Sequence, residues 1–509
     1  MNTATVLGID SKLISVEADI SEGMPLFEMV GYLSSEVKEA KERVRAALKN
    51  EGYSLPVKRI TINLSPANIR KTGSGFDLPI AVAILSAIGI IPAENLVDVC
   101  LFGEIALDGK IQPINGILPM VLEAKEKGMK TVIVPNENLQ EARLVNGIVS
   151  VGVNKLSQVI ELASEGEYKQ EPIESNLSED SQIRFETEYD FSMINGQIGL
   201  RRACEVAVSG MHNLLMVGPP GAGKSMIAKC IPSILPPMTD REQLELSKIY
   251  SVCGKFDERN GLIKERPFRS PHHTVSEYGL TGGGSNPKPG EISLAHGGVL
   301  FLDELTEFKK STIEILRQPL EDKKVCISRV SGSFTFPANF MLVAAMNPCS
   351  CGYYPDLNRC HCSRQSIQRY IGKISQPLLD RIDICVEAPT LNYAQISSKN
   401  KNEDSEAIRE RVVKCHRLQK ERYEPYGFSY NSEIPSNLMD KFCPLGDAER
   451  MFMEEMYDRY QLTARTYYKV LKVARTIADL EQANDITLIH LQEAFAYRGL
   501  DKKYWEEHI

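Results

Sequence analysis

The chain has 509 residues, of which 43% are hydrophobic and 25% are charged, and its formal net charge is −8. This length is enough for two to four domains, and the composition is that of soluble globular proteins rather than of disordered or fibrous ones. No apolar run approaches the roughly 20 residues of a membrane-spanning helix, and the first residues lack the features of a secretion signal, so we expect a cytoplasmic protein with no membrane partner.

Charge and cysteine usage narrow the possible partners. The acidic total weakens a nucleic-acid-binding interpretation without excluding it, because cations can be concentrated on a few loops. Eight of the 12 cysteines are scattered singly, mostly in apolar runs that predict buried thiols, and four cluster at 349–362. A disulfide framework is not expected in a reducing compartment.

Residues 1–163 predict a compact α/β domain, because strand-like and helix-like stretches alternate. The expected elements are paired strands at 3–20, helices at 36–48, 78–88 and 118–127, and strands at 59–64 and 131–134. Residues 164–184 are acidic, polar and nearly free of large apolar side chains, and we expect a solvated linker there. A long surface loop inside one domain is the alternative interpretation.

Residues 185–390 predict a parallel sheet covered by helices. Three nearly continuous apolar runs, at 213–217, 299–302 and 341–345, are typical of strands buried on both faces, and each ends at a polar cluster. From 391 to 509 the pattern is helical. The candidate helices are 408–423, 447–460, 467–481 and 487–497.

A glycine-rich segment, GPPGAGKS, follows the first of these strands and precedes a helical run. It matches G-x-x-x-x-G-K-[ST] in the strand–loop–helix context that this phosphate-binding motif needs. We expect backbone N–H groups to wrap the phosphates of ATP, Lys224 to reach the β- and γ-phosphates, and Ser225 to ligate Mg²⁺. The residues expected to contact the nucleotide are Gly218, Pro219, Pro220, Gly221, Ala222, Gly223, Lys224, Ser225 and Met226.

Polar side chains at the ends of the other two strands complete the predicted site. Asp303 would hold Mg²⁺, directly or through water, and Glu304 would polarise the attacking water. Asn347 could orient that water, although Asn before Pro is also a routine turn. Arg381 could act on the nucleotide of a neighbouring subunit, but its spacing alone favours an ion pair with Asp380 or Asp383.

Several longer motifs resemble one family, the YifB/ComM subfamily of magnesium-chelatase-like AAA+ ATPases. The motifs that carry the resemblance are RSPHHT at 269–274, PGEISLAHGGVLFLDEL at 289–305, RQPLED at 317–322 and AMNPC at 345–349. The subfamily includes a ring-forming DNA helicase that promotes branch migration. The resemblance covers essentially the whole chain. It implies an AAA+ core with a helical lid, a homo-oligomer in the form of a hexameric ring, and DNA as the partner.

The resemblance also implies roles that spacing leaves open. Asn347 would sense the γ-phosphate, Arg381 would be the finger inserted into the next subunit's site, and Arg465 would be a second sensor on the lid. Pore-facing segments would be an insertion at about 240–297 and a hairpin at about 323–338. Their cations would contact DNA, at the hairpin through Lys323, Lys324 and Arg329. A solvated face with mixed charges is the alternative.

The first domain resembles the Lon-protease catalytic domain, an S5-like α/β fold. The clearest similarity lies at 109–117 and 128–135. Where the protease has its serine, this chain has Gly75 or a neighbour, and where the protease has its lysine, it has Leu118-Pro119-Met120. Because a Ser/Lys pair needs the lysine as its base, we expect no peptidase activity.

Four thiols within fourteen residues, at Cys349, Cys351, Cys360 and Cys362, suggest structural Zn²⁺. The C-x-C pairs are tighter than the usual C-x₂-C, and His361 could replace one thiol. Unmetallated thiols and redox sensing are the alternatives.

The leading functional hypothesis is therefore an ATP-dependent motor on DNA, as a branch-migration helicase in recombination or transformation. A metal-chelatase motor that drives Mg²⁺ insertion into a porphyrin, or another protein remodeller, is the alternative. Against a chelatase, the chelatase motor subunit would lack the Lon-like domain and the cysteine cluster. An ATP-dependent protease is disfavoured by the missing serine and lysine.

Overall fold

The computed structural model describes residues 1–169, 188–257, 261–329, 332–393, 402–498 and 504–505. Most of the predicted linker, 170–184, lies outside these residues. Within them, no helix is both long and apolar enough to cross a membrane.

A seven-stranded mixed sheet organises the first 165 residues, in the order β3-β4-β2-β1-β5-β8-β9. β2 pairs antiparallel with β1 and with β4, whereas β5, β8 and β9 run parallel to one another. A two-stranded ribbon of β6 and β7 lies outside this sheet. The strands are β1 Asn2–Leu7, β2 Asp10–Ser21, β3 Leu26–Val30, β4 Arg59–Ser65, β5 Val99–Leu101, β6 Glu104–Ile105, β7 Ile111–Gln112, β8 Thr131–Pro135 and β9 Val149–Val153.

Five helices cover this sheet, and the predicted helices and strands of the region are confirmed to within a few residues. The helix α1 begins after Ser34, whose hydroxyl accepts the Val37 N–H, and buries an apolar face that includes Val44. The helices are α1 Ser35–Asn50, α2 Asp77–Ala87, α3 Ile117–Glu126, α4 Leu139–Arg143 and α5 Leu156–Glu165.

A five-stranded parallel sheet forms the centre of the second region, in the order β11-β14-β17-β10-β18. The three predicted buried strands are confirmed and lie near one another at its centre. The last strand was not predicted, and the two residues of β11 form an edge strand inside the segment expected to be an insertion. The strands are β10 Leu214–Val217, β11 Phe268–Arg269, β14 Val299–Leu302, β17 Met341–Met346 and β18 Ile384–Glu387.

Helices and two small ribbons surround the central sheet. The first ribbon lies in the insertion segment, and the second is the predicted hairpin, whose strands pair from Lys324 with Pro337 to Arg329 with Gly332. The ribbon strands are β12 Gly282–Gly283, β13 Lys288–Pro289, β15 Lys324–Arg329 and β16 Gly332–Pro337. The helices are α6 Ile198–Gly210, α7 Lys224–Ile234, α8 Asp240–Val252, α9 Glu277–Thr281, α10 Glu291–Leu294, α11 Lys310–Glu314, α12 Arg317–Asp322, α13 Arg364–Ile371 and α14 Gln376–Leu379.

The C-terminal region is helical, as predicted, and packs against α6 and α7. A partly buried ion pair stabilises it: Arg422 donates to both carboxylate oxygens of the buried Asp479 at 2.8 and 2.7 Å. The fully buried Arg475 contacts the same carboxylate at 3.0 Å. The helices are α15 Ser405–Tyr423, α16 Met439–Phe442, α17 Asp447–Tyr460, α18 Ala464–Leu480 and α19 Leu488–Ala496.

The two sheet-containing regions contact each other along α8. The Gly116 N–H donates to the Ser251 carbonyl at 3.1 Å, and Lys248 pairs with Asp10 at 3.0 Å. Leu244 and Leu262 pack against the apolar cluster formed by α3 and β8. The first region is therefore seated on the helix that opens the insertion segment.

Candidate functional site

The glycine-rich loop connects the end of β10 to the start of α7, as its sequence requires. Gly221 and Gly223 have φ angles of 77° and 84°, a left-handed conformation that L side chains rarely adopt. Gly218 is needed for space, because a Cβ there would lie 2.2 Å from the Ala388 carbonyl oxygen. The loop thus wraps the N-terminus of α7, where helix N–H groups favour an anion.

Lys224 is buried within this loop. Its Nζ donates to the carbonyls of Gly218 and Pro219 at 2.6 and 2.9 Å, and to Oδ1 of Asn347 at 3.2 Å. Burial lowers the pKa of Lys224, and the nearby carboxylates of Asp303 and Glu304 oppose that shift. The ammonium group is therefore held where the loop, β14 and β17 converge.

Ser225 and Asp303 form the pair of oxygen ligands expected for Mg²⁺. The Ser225 hydroxyl donates to Asp303 Oδ2 at 2.5 Å, and the Glu304 N–H donates to Asp303 Oδ1 at 2.9 Å. Carboxylate and hydroxyl oxygens are hard ligands that suit Mg²⁺. The donor set therefore fits the metal that the motif implies.

Glu304 has a left-handed backbone, with φ of 51°, and its half-exposed side chain extends beyond the end of β14. Its Oε2 lies 3.7 Å from Nδ1 of His273, whose ring is tilted by 34° against that of His272 with centroids 4.0 Å apart. Sequence reasoning did not single out His273. Its only signal was membership of the RSPHHT motif.

The side chains of Lys224, Ser225, Asp303, Glu304 and Asn347 line one cleft of about 370 Å³. Gly218 and Pro219 lie behind it and present their carbonyls to Lys224. The cleft is lined by Pro220, Gly221, Ala222, Gly223, Lys224, Ser225, Met226, Asp303, Glu304, Met346 and Asn347.

Arg381 and Arg465 line a different cavity, of about 630 Å³. The Arg381 guanidinium lies 2.6 Å from Glu321 and also donates to the carbonyls of Arg317 and Pro377. Arg465 reaches the same Glu321 oxygen at 3.2 Å and Asp380 at 3.8 Å. The two arginines are thus brought together with each other, and they do not line the cleft of their own chain. Glu321 is a second residue that sequence reasoning missed.

The four clustered cysteines converge. Their sulphurs all lie within 4.8 Å of one another, with Cys349–Cys351, Cys351–Cys360 and Cys349–Cys360 at 3.3, 3.5 and 3.7 Å. Sulphurs of a tetrahedral zinc site, with Zn–S of about 2.3 Å, lie about 3.8 Å apart, so the set fits zinc without His361. A hydrogen bond with Ser350 contributes most to lowering the pKa of Cys362 to about 7, whereas desolvation raises the pKa of Cys351 and raises that of Cys360 to about 12, so Cys362 is the first of these three thiols to become a thiolate.

The cysteine cluster lies beside the nucleotide cleft. Cys349 follows Asn347 by two residues, and Gly352 packs against Pro220 of the glycine-rich loop, where a Cβ would approach the proline ring to 2.5 Å. Gly352 has a φ of 86°, so both its conformation and its surroundings require glycine.

The predicted DNA-contacting cations differ in their placement. Lys324 and Arg329 are exposed at the two ends of β15, and Arg329 reaches the Gly284 carbonyl at 3.4 Å and lies 6.0 Å from the Tyr278 ring. Lys323 lies before the hairpin and lines the arginine cavity instead. In the insertion segment, Arg266 forms an ion pair with Glu242 and Arg269 forms one with Glu291.

The region that resembles a protease lacks the arrangement of a Ser/Lys pair. Ser74 donates to the carboxylate of Glu104. Leu118, Pro119 and Met120 form the first turn of α3, where no side chain can act as a base.

Three sequence families match the chain. The family described as "Magnesium chelatase, subunit ChlI" matches residues 190–396, "Subunit ChlI of Mg-chelatase" matches 16–138, and "Magnesium chelatase, subunit ChlI C-terminal" matches 402–498. Because a family of that description includes the first region, this region does not by itself separate the chain from chelatase subunits.

Full-length relatives are also similar. The chain is 39% identical to the competence protein ComM of Haemophilus influenzae over 498 residues, which cover 97% of this chain and 96% of ComM. It is 40% identical to the uncharacterized protein YifB of Escherichia coli over 504 residues, covering 99% and 97%. Lon protease 2 of Bacillus subtilis matches over 149 residues at 32% identity, covering 29% of this chain and 26% of the protease.

Proposed function

Because this chain belongs to the ComM and YifB family of magnesium-chelatase-like AAA+ ATPases, we propose that it is a ring-forming, ATP-hydrolysing motor on DNA, a branch-migration helicase. The observation that carries the proposal is the convergence of Lys224, Ser225, Asp303 and Asn347 at the ends of three neighbouring parallel strands. The name of the relative ComM describes it as a competence protein.

Each residue of the cleft has a defined task in this proposal. The glycine-rich loop and the N-terminus of α7 bind the phosphates, and Lys224 donates to the β- and γ-phosphate oxygens in place of its present carbonyl acceptors. Ser225 and Asp303 would hold Mg²⁺, which would supply positive charge to the phosphates. Glu304 accepts a proton from the attacking water, and Asn347 orients that water against the γ-phosphate.

The placement of Arg381 and Arg465 supports an oligomer. Transfer of the γ-phosphoryl group is accelerated by an arginine that stabilises its negative charge. Neither arginine lines the cleft of its own chain, so we propose that both act on the nucleotide of the adjacent subunit in a hexamer.

DNA would be bound inside the ring. Exposed Lys324 and Arg329 on the hairpin, repeated in each subunit, supply cations for the phosphate backbone despite the acidic total of the chain. We further propose that the four cysteines hold one structural Zn²⁺, which fixes the loop between Asn347 and α13.

ATP turnover with and without forked DNA tests the proposal. We expect turnover that DNA stimulates and that Lys224→Ala abolishes, with Lys229→Ala, in the same helix, as the matched control. ATP-dependent movement of a four-way junction would support the helicase activity directly. If DNA at low salt leaves the rate of ATP turnover unchanged but a porphyrin raises it, the result would instead favour a chelatase-type motor.

A further inference from the structure

Glu321 lies where the base of the hairpin, Arg381 and the first turn of α18 meet. One carboxylate oxygen, Oε1, lies 2.6 Å from a guanidinium nitrogen of Arg381 and 3.2 Å from one of Arg465. We propose that Glu321 is a positioning residue that couples the hairpin to this arginine pair, so that DNA bound at the hairpin of one subunit adjusts hydrolysis in the next. The inference rests on the proposed function and deepens it.

The first step concerns charge. Two guanidinium groups repel each other, and a carboxylate that contacts both offsets that repulsion and sets the position of Arg465 relative to Arg381. Arg381 is also tied to the carbonyls of Arg317 and Pro377. Because α12 begins at Arg317 and carries Glu321 near its end, Arg381 is attached to that short helix at both ends.

The second step concerns the hairpin. One residue, Lys323, separates the end of α12 from β15, and its φ of 56° makes the turn. The Ala338 N–H donates to the Lys323 carbonyl at 2.9 Å, which closes the base of the hairpin at the same point. Leu320 of α12 belongs to the same buried apolar cluster as Val325, Ile327 and Phe336 of the hairpin. A displacement of the hairpin therefore displaces Glu321.

The third step concerns the lid. Arg465 lies in the first turn of α18, and in the described structure its ion pairs are with Glu321 and Asp380. Its side chain and that of Glu321 are about half exposed, at 50% and 47%, whereas Arg381 is 12% exposed. Solvent-exposed ion pairs are weak and exchange readily. The Glu321–Arg465 contact can thus break and reform as the hairpin moves, while Arg381 stays with α12.

The test compares Glu321→Gln with Asp322→Asn in the full-length protein. Both remove one carboxylate from the end of α12, but Asp322 accepts from Gln318 and contacts neither arginine in the described residues. We expect Glu321→Gln to keep ATP binding and basal turnover and to lose DNA stimulation by about fivefold or more, the size of a typical coupling between sites. Asp322→Asn and wild type should remain equally stimulated, and Glu321→Asp should recover part of the effect.

Mixed rings supply a second readout. A subunit with Lys224→Ala cannot hydrolyse ATP but presents an intact Glu321 and arginine pair to its neighbour. Adding it to Glu321→Gln subunits should restore DNA-stimulated turnover, which a folding defect in Glu321→Gln would not permit.

Three results would overturn the inference. In the first, DNA stimulates the Glu321→Gln variant as much as wild type. In the second, the basal ATP turnover of Glu321→Gln falls to the level of Arg381→Ala. In the third, mixed rings do not recover DNA-stimulated turnover. If wild type itself shows no response to DNA, the proposed function fails instead, and the two failures are therefore distinguishable.

Discussion

The hydroxyl of Ser225 donates a 2.5 Å hydrogen bond to the carboxylate of Asp303, which links the first turn of α7 to the end of β14. β17 lies between β10 and β14 in the sheet, so the contact spans the strand that Asn347 follows. Mg²⁺ would replace the shared proton as the link between these two oxygens.

This pairing predicts the effect of Asp303→Asn. The amide can still accept from Ser225, so the fold should be unchanged, but the negative charge that attracts Mg²⁺ is lost. We expect ATP turnover to fall on the order of 10²–10³-fold, the range seen when one preorganised electrostatic group is removed. Steady-state assays at several Mg²⁺ concentrations measure this, and Asp322→Asn is the control. Turnover within threefold of wild type would contradict the assignment of Asp303.

Glu304→Gln should separate nucleotide binding from hydrolysis. The residue lies at the rim of the cleft and contacts neither Lys224 nor Ser225 through a described hydrogen bond, so the amide should leave ATP affinity intact. Loss of the proton acceptor should slow hydrolysis by about 10²–10⁴-fold. Equilibrium binding and single-turnover hydrolysis, measured on the same preparation, give the two quantities. A parallel loss of binding would mean that Glu304 holds the nucleotide rather than the water.

The Arg381→Ala variant should not turn over ATP by itself but should do so in rings mixed with a second variant. If Arg381 acts on the adjacent subunit, an Arg381→Ala subunit keeps a complete cleft of its own and needs only a neighbour with the arginine. Mixing it with Lys224→Ala, which supplies that arginine, should therefore recover turnover that neither variant shows by itself. Turnover that stays absent at every mixing ratio would place Arg381 in the site of its own chain.

Metal analysis tests the cysteine cluster. We expect about one zinc per chain, with less than about 0.3 counting against a four-thiolate site. Cys351→Ser and Cys360→Ser should lose the metal, and Cys326→Ser, an exposed cysteine of the hairpin, should keep it. Because Gly352 packs against Pro220 and Cys349 follows Asn347, loss of metal should also weaken ATP binding. Unchanged ATP affinity in a zinc-free protein would refute that link.

The stability of the C-terminal helical region should depend on pH through His416. Burial lowers the pKa of His416 to about 4, from an ordinary value of 6.5, and its Nε2–H donates to the Val208 carbonyl at 2.9 Å. Between these values the unfolded chain binds a proton that the folded chain does not. The stabilising contribution is therefore complete above pH 6.5 and is lost as the pH falls towards 4.

Urea unfolding followed by circular dichroism checks this dependence. Relative to His416→Gln, wild type should lose at most about 1.4 kcal/mol per pH unit between pH 6.5 and 4. Parallel profiles for the two proteins over this range would show that the histidine does not titrate on unfolding.

Much of the fold follows from local patterns, and some of it does not. The runs at 299–302 and 341–345 are apolar throughout and could be identified as buried strands, because parallel strands are covered on both faces. The strand Ile384–Glu387 carries only three apolar residues, which lie between the charged Asp383 and Glu387, so no continuous apolar run marks it as a buried strand. Phe268–Arg269 is shorter still, and it is a strand only because β14 lies beside it.

The candidate site also contains some residues that the sequence predicts and others that it does not. Lys224 and Ser225 are fixed by a contiguous motif whose geometry is local, so sequence suffices for them. The approach of His273 to Glu304, and of Glu321 to Arg381 and Arg465, joins residues 31, 60 and 144 positions apart. Such contacts depend on how helices and loops pack around the sheet, and no spacing rule in one sequence specifies them.

The contact between the first region and α8 limits where the chain can be truncated. A fragment that begins at Glu188 would keep α6 and the whole nucleotide cleft but would uncover Leu244 and Leu262, which now pack beneath α3 and β8. It would also leave Lys248 without Asp10. Such a fragment is expected to aggregate in solution through these uncovered leucines. Low ATP turnover of the fragment would then reflect aggregation rather than an incomplete nucleotide cleft.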